Sequence, residues 1–179
     1  GIKRELDPET VMPWFDELLD FDYFGSIDLY GEELSRDIRE FIPLFKKAGE
    51  HGLKLKAHVG EFGTADDVRE AVELLELDAV QHGIAAAGDS RVMRFLSENG
   101  ITLNICPTSN LVLGRVESLK THPIKVLYDS GVKVTVNSDD VLVFNKGVSE
   151  EFLSLYKESV FSPLELDEIR HNGLGEERP

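Results

Sequence analysis

Apolar and polar positions alternate along the chain in an order that predicts parallel strands joined by helices. Five apolar runs, most of them rich in β-branched residues, are each short enough to form one strand. These runs are residues 23–29, 53–58, 79–82, 102–106 and 133–137. Segments with apolar residues at helical spacing separate the runs, and this order is typical of an α/β fold with a parallel sheet and crossover helices.

The helices are predicted from their apolar faces and their end signals. Helices are predicted at 7–20, 32–51, 65–77, 90–98, 122–129, 150–158 and 163–171. In the third of these, Val68, Ala71 and Val72 share one face. Gly52 and Gly100 follow two of the helical segments, where glycine commonly ends a helix. Because the chain shows neither an internal repeat nor a linker, residues 1–179 are predicted to form a single domain.

Length, charge and cysteine content narrow the classes of function. A chain of 179 residues with 41% hydrophobic content has enough apolar side chains for one sizeable core. Its 34 acidic and 19 basic side chains give a net charge of -15, which disfavours nucleic acid and anionic membranes as partners. No apolar run approaches the roughly 20 residues of a membrane span. With a single cysteine and no signal-peptide pattern at the start, a cytoplasmic location is predicted.

Residues with chemical capacity follow the predicted strands, at the edge where parallel α/β proteins build their sites. They are Asp28, His58, His82, Cys106, Asp139 and Asp140. His58 and Glu61, three residues apart, could present an imidazole to a metal ion and a carboxylate to a bound water, or could be a polar pair at a strand end. His82 could orient a hydroxide, or it could be an ordinary core histidine.

The remaining candidates leave similar alternatives open. Asp139 and Asp140 repel each other unless a cation or a proton separates them, so one could bind zinc while the other accepts a proton or holds substrate. Either could instead cap a helix, because aspartate is a favoured N-cap residue. Cys106 is interpreted as a buried structural thiol. His122, followed by proline, indicates a helix start and is assigned no metal role.

Together, these motifs resemble the adenosine deaminase family in content, order and spacing. The matching segments are Asp28-Leu29-Tyr30-Gly31-Glu32-Glu33, His58-Val59-Gly60-Glu61, His82-Gly83, Cys106-Pro107-Thr108-Ser109-Asn110, His122-Pro123 and Ser138-Asp139-Asp140. The family fold is a (β/α)8 TIM barrel with one zinc ion at the carboxyl ends of its strands. The family replaces a purine amino group with water. The resemblance therefore implies a zinc-dependent purine nucleoside aminohydrolase.

The resemblance also implies roles for residues at the metal and at the reacting atoms. His58 would be a zinc ligand, and Asp139 would be both a zinc ligand and a base. Glu61 would shuttle a proton to the purine ring, and His82 would orient the attacking hydroxide. These implied roles agree with the chemistry of the residue types, because zinc activates water and a carboxylate can relay a proton.

Two further residues would contact the substrate. Gly31 would touch the purine through its backbone, and Asp140 would contact a ring nitrogen. Adenosine is the predicted substrate, because residues 108–114 and 144–145 look closer to the nucleoside branch of the family. Adenine is the alternative, because residues 137–140 also resemble the adenine-specific branch. A non-catalytic remnant that binds a purine or another protein is a third interpretation.

The family's first motif, a His-x-His pair that supplies two more zinc ligands, is not found in this sequence. The histidines are at positions 51, 58, 82, 122 and 171, and none of them is two residues from another. Five strands are also too few for a closed barrel, which typically needs about 250 residues. We therefore expect the carboxy-terminal part of a barrel, without its amino-terminal strands and impaired in activity when alone.

Such a partial barrel is expected to associate with itself. The strands near Ser26 and Lys133 would be edges with unpaired backbone groups, and such edges recruit partners. Four apolar side chains are expected to stay partly open to water on the inner face of the sheet: Val80, Leu103, Ile105 and Val134. Edge pairing, or swapping between two half-barrels, would cover both features.

Overall fold

The computed structural model describes residues 1–21 and 23–175. Within them, six strands form one parallel sheet whose order follows the chain. The strands are β1 (Ile2–Lys3), β2 (Ser26–Tyr30), β3 (Lys54–Val59), β4 (Ala79–His82), β5 (Thr102–Ile105) and β6 (Lys133–Val136). The five predicted strands are present as β2 to β6, and β1 is a short addition that pairs Ile2 with Leu29. The predicted α/β class is confirmed.

Helices connect the strands. They are α1 (Pro8–Leu19), α2 (Ile42–Glu50), α3 (Ala65–Leu75), α4 (Ser90–Glu98), α5 (Pro107–Val112), α6 (Ile124–Asp129), α7 (Val141–Phe144), α8 (Val148–Lys157) and α9 (Pro163–Leu174). The predicted helix over residues 32–51 is shorter in the structure, because a 3₁₀ turn capped by Asp37 precedes α2. The sequence did not predict α5 and α7, which begin directly after Cys106 and Asp140.

The two faces of the sheet differ in polarity. On one face the register aligns Leu29, Ala57, Val80, Leu103 and Val134 in a single row, and each of these side chains is fully buried in the core. The same core cluster contains the apolar faces of α3, α4 and α6. A polar row lies on the opposite face, one strand position away, because successive side chains of a strand point to opposite sides. That row is His58, Gln81, Asn104 and Thr135.

The predicted exposure of four apolar side chains is wrong. Val80, Leu103, Ile105 and Val134 are 0% exposed, because they point toward the helices and not toward the polar face. The predicted edges change as well. β1 pairs with the end of β2, and Asn172 of α9 donates a hydrogen bond of 3.1 Å to the backbone oxygen of Val134 at the β6 edge. Self-association stays a prediction with weaker physical grounds.

The described helices also bear on the membrane question. In residues 1–21 and 23–175, each helix is too short or too polar to cross a lipid bilayer. The cytoplasmic location stays a prediction.

Candidate active site

The carboxyl ends of β3 to β6 bring together four of the side chains that the sequence singled out. His82 is the last residue of β4, and its ring centroid lies 5.4 Å from that of His58 near the end of β3. Glu61 Oε1 lies 3.5 Å from His82 Nδ1. Ligand atoms of His82, Cys106 and Asp139 all lie within 4.8 Å of one another. His58, Glu61, His82 and Asp139 therefore share one edge of the sheet.

Two of these residues have a backbone conformation that residues other than glycine rarely adopt. His82 has a φ of 62° and Asp139 a φ of 56°, both in the left-handed region. Such residues cost about 1–3 kcal/mol and persist only where the surrounding structure holds them. His82 ends β4 and Asp139 follows β6, so the fold maintains this strain after two strands of the same sheet.

Glu33 holds the loop that carries Glu61. The Glu33 carboxylate is 5% exposed and accepts hydrogen bonds from four successive backbone N–H groups. The donors are Gly60 at 2.5 Å, Glu61 at 3.1 Å, Phe62 at 2.7 Å and Gly63 at 3.2 Å. Successive N–H groups that point inward form a concave anion-binding site. Here that site is filled by a side chain of the same chain, which fixes the backbone on both sides of Glu61.

Gly60 provides the close packing that this loop needs. Its φ is 74°, and a Cβ at this position would clash with Val68 Cγ2 in α3. Gly100 has a similar φ of 65°, but a Cβ there would meet open space. Alanine at Gly100 would cost only the free energy of a left-handed backbone, whereas alanine at Gly60 would add the free energy of a steric clash.

We expect Gly60→Ala to lower the free energy of unfolding more than Gly100→Ala does. The control substitution should cost about 1–2 kcal/mol through the left-handed backbone alone. The clash with Val68 should add about 1–3 kcal/mol at Gly60. Urea unfolding followed by circular dichroism measures both variants, and equal losses would contradict the packing role of Gly60.

Glu61 and His82 share a hydrogen-bond donor and have strongly shifted pKa values. Asn110 Nδ2 donates to Glu61 Oε1 at 2.9 Å and lies 3.3 Å from His82 Nδ1. Burial, and then the charge of Asp139, raise the pKa of Glu61 to about 7. Burial, and then the charge of His58, lower the pKa of His82 to about 4. Near pH 7 this pair therefore combines a carboxyl group that can give a proton with a neutral imidazole.

His58 is oriented by a carboxylate. Its Nδ1 lies 3.1 Å from Asp28 Oδ1, while Asp28 Oδ2 accepts a hydrogen bond of 2.7 Å from Gln81. Burial lowers the pKa of His58, but the hydrogen bond and the charge of Asp28 outweigh it, and the net pKa is raised. A carboxylate on one ring nitrogen leaves the other for a metal ion, as is usual for histidine ligands.

Cys106 is buried and lies beside the same site. Burial, and then the charge of Asp139, raise the pKa of its thiol to about 12, so the metal-free chain keeps the thiol protonated. The predicted buried thiol is confirmed, although Cys106 precedes α5 and lies just beyond the end of β5.

The two predicted substrate contacts have other contacts in the structure. Asp140 Oδ1 accepts hydrogen bonds from the N–H groups of Leu142 at 3.0 Å and Val143 at 3.2 Å, so Asp140 caps α7. Gly31 follows β2 with a φ of 104°, and a side chain there would clash with Glu5. The substrate roles of Asp140 and Gly31 stay predictions.

Comparison with known proteins identifies the family. The sequence model of the adenosine deaminase family matches residues 22–176, which is most of the chain. The chain belongs to the adenosine deaminase family. The resemblance seen in the separate motifs is thus confirmed, because the matched range includes all of the motif segments.

Individual relatives agree with this family assignment. A Treponema pallidum (strain Nichols) protein with a provisional adenosine/adenine deaminase name is 46% identical over 155 residues, which is 87% of this chain and 52% of the relative. The crystal structure of an Arthrobacter aurescens adenine deaminase superposes with a TM-score of 0.91 at 31% identity, covering 97% of this chain and 53% of that one. A Burkholderia ambifaria amidohydrolase structure with bound zinc gives a TM-score of 0.88 at 26% identity, covering 97% of this chain and 50% of that one.

The extent of these matches indicates how much of the family fold the chain contains. The chain spans about half the length of the relatives it matches, and the six strands of its described residues pair in parallel. The fold is accordingly a partial (β/α)8 barrel, as predicted.

Four residues contribute to this deaminase-family site without a predicted role in it. They are Asp28, Glu33, Asn110 and His122. All four lie inside the motif segments that carry the family resemblance. The sequence therefore contained a signal for their importance, but their partners are distant in sequence and could be identified only from the structure.

Proposed function

We propose that this site belongs to an enzyme that hydrolytically removes the amino group of a purine, with adenosine as substrate. The observation that carries the proposal is the arrangement of Glu61 and His82 on Asn110, next to Asp139. Replacing an amino group with water needs a proton donor for the purine ring and an acceptor for the proton of water. Both groups work best when their pKa values lie near the working pH.

Each residue of the site can take one part of this chemistry. Glu61, with a pKa of about 7, is partly protonated at neutral pH and can donate its proton to a purine ring nitrogen. His82 is neutral at that pH and can hold the attacking water in position through a ring nitrogen. Asp139 is the carboxylate that can accept a proton from the water. Gly31 and Asp140 would contact the substrate, as the family resemblance implies.

The residues fit a zinc ion. His58 and Asp139 offer the nitrogen and oxygen ligands that zinc accepts, and Asp28 holds the His58 ring through its other nitrogen. Burial is the main cause of the raised pKa of Glu61, and the negative charge of Asp139 is the second cause, which a cation at Asp139 would offset. When bound, zinc would lower the pKa of a water molecule toward 7.

The chain alone is expected to hold zinc weakly and to deaminate purines slowly or not at all. A catalytic zinc site takes about three protein ligands, and His58 and Asp139 supply two. Zinc content after dialysis against a chelator measures the first expectation. One equivalent of zinc retained through dialysis, together with rapid inosine formation, would contradict it and would imply further ligands from a second chain.

Adenine is the second candidate substrate. The Arthrobacter aurescens structure that matches this chain with a TM-score of 0.91 is of an adenine deaminase, and the name of the Treponema pallidum relative includes both substrates. These relatives favour a purine with a 6-amino group and leave the choice between nucleoside and free base to experiment.

The deciding experiment is a substrate panel with high concentrations of the zinc-loaded chain. We expect slow conversion of adenosine to inosine, slower conversion of adenine to hypoxanthine, and a loss of about 100- to 10,000-fold in Glu61→Gln. Glu73→Gln, an exposed change on α3, is the matched control and should keep the wild-type rate. A faster rate with adenine would select the second candidate. An unchanged rate in Glu61→Gln would remove the proposed mechanism, and a lack of zinc binding even at high zinc concentration would favour a non-catalytic remnant.

A further inference from the structure

His122 is a second buried histidine near the site, and its hydrogen-bonding pattern can be worked out from the backbone. The side chain is 2% exposed, and its Nδ1 accepts a hydrogen bond of 3.0 Å from the N–H of Ile124. A backbone N–H is always a donor, so Nδ1 of His122 must be an acceptor without a hydrogen. Burial lowers the pKa of His122 to about 4, which keeps the ring neutral at pH 7. The one ring hydrogen is therefore on Nε2.

This hydrogen fixes the orientation of Asn110. Nε2 of His122 lies 3.3 Å from Asn110 Oδ1, so it donates to that oxygen. Asn110 is 0% exposed, and its amide nitrogen consequently faces the opposite way. There Nδ2 donates to Glu61 Oε1 at 2.9 Å and to His82 Nδ1 at 3.3 Å. His82 must accept through Nδ1, and the hydrogen of its neutral ring lies on Nε2.

We propose that His122 is a positioning residue of this site, which acts through Asn110 to fix the tautomer of His82 and the hydrogen bond to Glu61. The hydrogen-bond directions form one chain that starts at the Ile124 N–H and ends at the two catalytic candidates. A catalytic role for this series of hydrogen bonds rests on the proposed deaminase function, but the tautomer of His82 does not depend on that function.

The alternative orientation of Asn110 shows what His122 prevents. If the Asn110 amide turned over, Oδ1 would face Glu61 and His82, and His82 could keep a hydrogen bond only by carrying its hydrogen on Nδ1. The carbonyl oxygen would also lie against the Glu61 carboxyl oxygen. His122 excludes this state because its Nε2–H would then face the amide hydrogens of Asn110, leaving two buried donors opposed.

Two substitutions separate this role from simple packing. In His122→Gln the side-chain amide can place a donor where Nε2 lies and keep the bond to Asn110. In His122→Asn the shorter amide can place an acceptor where Nδ1 lies, which keeps the bond from Ile124 but not the donor to Asn110. Both variants bury an amide at the same position, so a merely structural role would affect them alike.

The test is a two-bond ¹H–¹⁵N correlation of the histidine rings in the metal-free, ¹⁵N-labelled chain near pH 7. We expect wild type and His122→Gln to show His82 with its hydrogen on Nε2, and His122→Asn to show a mixture of tautomers or the Nδ1–H form. A wild-type His82 with its hydrogen on Nδ1 would overturn the proposal. So would the same His82 tautomer in both variants, with backbone amide spectra showing that each is folded.

Because this measurement needs neither zinc nor substrate, its outcome is independent of whether the chain deaminates a purine. A chain with the expected tautomers and no turnover would contradict the proposed function alone. A chain that turns over adenosine but shows the same His82 tautomer in both variants would contradict the positioning role alone.

Discussion

Replacing Glu33 with alanine is expected to lower the free energy of unfolding by about 3–5 kcal/mol, since it removes a buried charge that has partners. Four backbone N–H groups between Gly60 and Gly63 would lose their common acceptor. Arg4, which is 8% exposed, would lose the largest of the acidic charges that favour its charged form. Buried donors that lose an acceptor each cost about 1–3 kcal/mol, although relaxation of the loop and entry of water offset part of the sum.

Two further variants make this expectation specific. Glu33→Gln keeps the side-chain shape but places an amide NH₂ against N–H donors, so we expect it to lose at least about half as much stability. Glu73→Ala removes an exposed carboxylate paired with Arg69 on α3 and should change stability by less than about 1 kcal/mol. Urea unfolding at pH 7 compares the three variants. A Glu33→Ala loss close to that of Glu73→Ala would show that the loop does not depend on Glu33.

Local sequence patterns predicted most of the fold because the elements have strong periodicity. Both β4 at Ala79–His82 and α4 at Ser90–Glu98 occupy the predicted residues. The predicted first strand began too early, because Tyr23 and Phe24 have the composition of a strand but are exposed, and β2 begins at Ser26. The strand β1 was missed because two residues are too short to show a period.

The burial of the sheet shows a second limit of sequence patterns. Alternation predicts which side chains share a face, but it does not say which face the helices cover. Val80 and Leu103 were placed on the open face, whereas the structure buries them fully. The side chains that do line the other face, such as Gln81 and Asn104, are polar residues bonded to their neighbours.

The site was predictable only in part for a related reason. His58, His82 and Asp139 could be placed together because the carboxyl ends of neighbouring parallel strands meet at one edge. Glu33 and Asn110 act on this edge through contacts that span 27 to 49 residues of sequence. Such bonds run from a side chain to a distant backbone or side chain, and no local spacing indicates them.

The stability of the metal-free chain is expected to fall by on the order of 3 kcal/mol as pH rises from about 4.5 through 7, through Glu61 alone. Its pKa is raised from 4.5 to about 7, chiefly because the side chain is buried and then because of the Asp139 charge. A group with a raised pKa in the folded state stabilises the fold while it is protonated. This contribution is complete below pH 4.5 and is lost as pH rises through 7.

Glu61→Gln should remove this dependence, because a neutral amide keeps an oxygen to accept the hydrogen bond from Asn110. His82 and His122, whose pKa values are lowered to about 4, have the opposite effect, since their contribution is lost as pH falls from 6.5 to 4. Both histidines are present in the wild type and in Glu61→Gln. The difference in unfolding free energy between the two proteins therefore isolates Glu61.

We expect this difference, measured by urea unfolding from pH 4.5 to 8, to grow in favour of Glu61→Gln by on the order of 3 kcal/mol. In an Asp139→Asn background the growth should be smaller, because the second cause of the raised pKa is gone. A difference that stays constant over this pH range would show that Glu61 titrates like an exposed glutamate. The destabilisation and the proposed chemistry have one origin, because the burial that disfavours the Glu61 carboxylate also keeps a proton on it near neutral pH, where the purine ring would receive that proton.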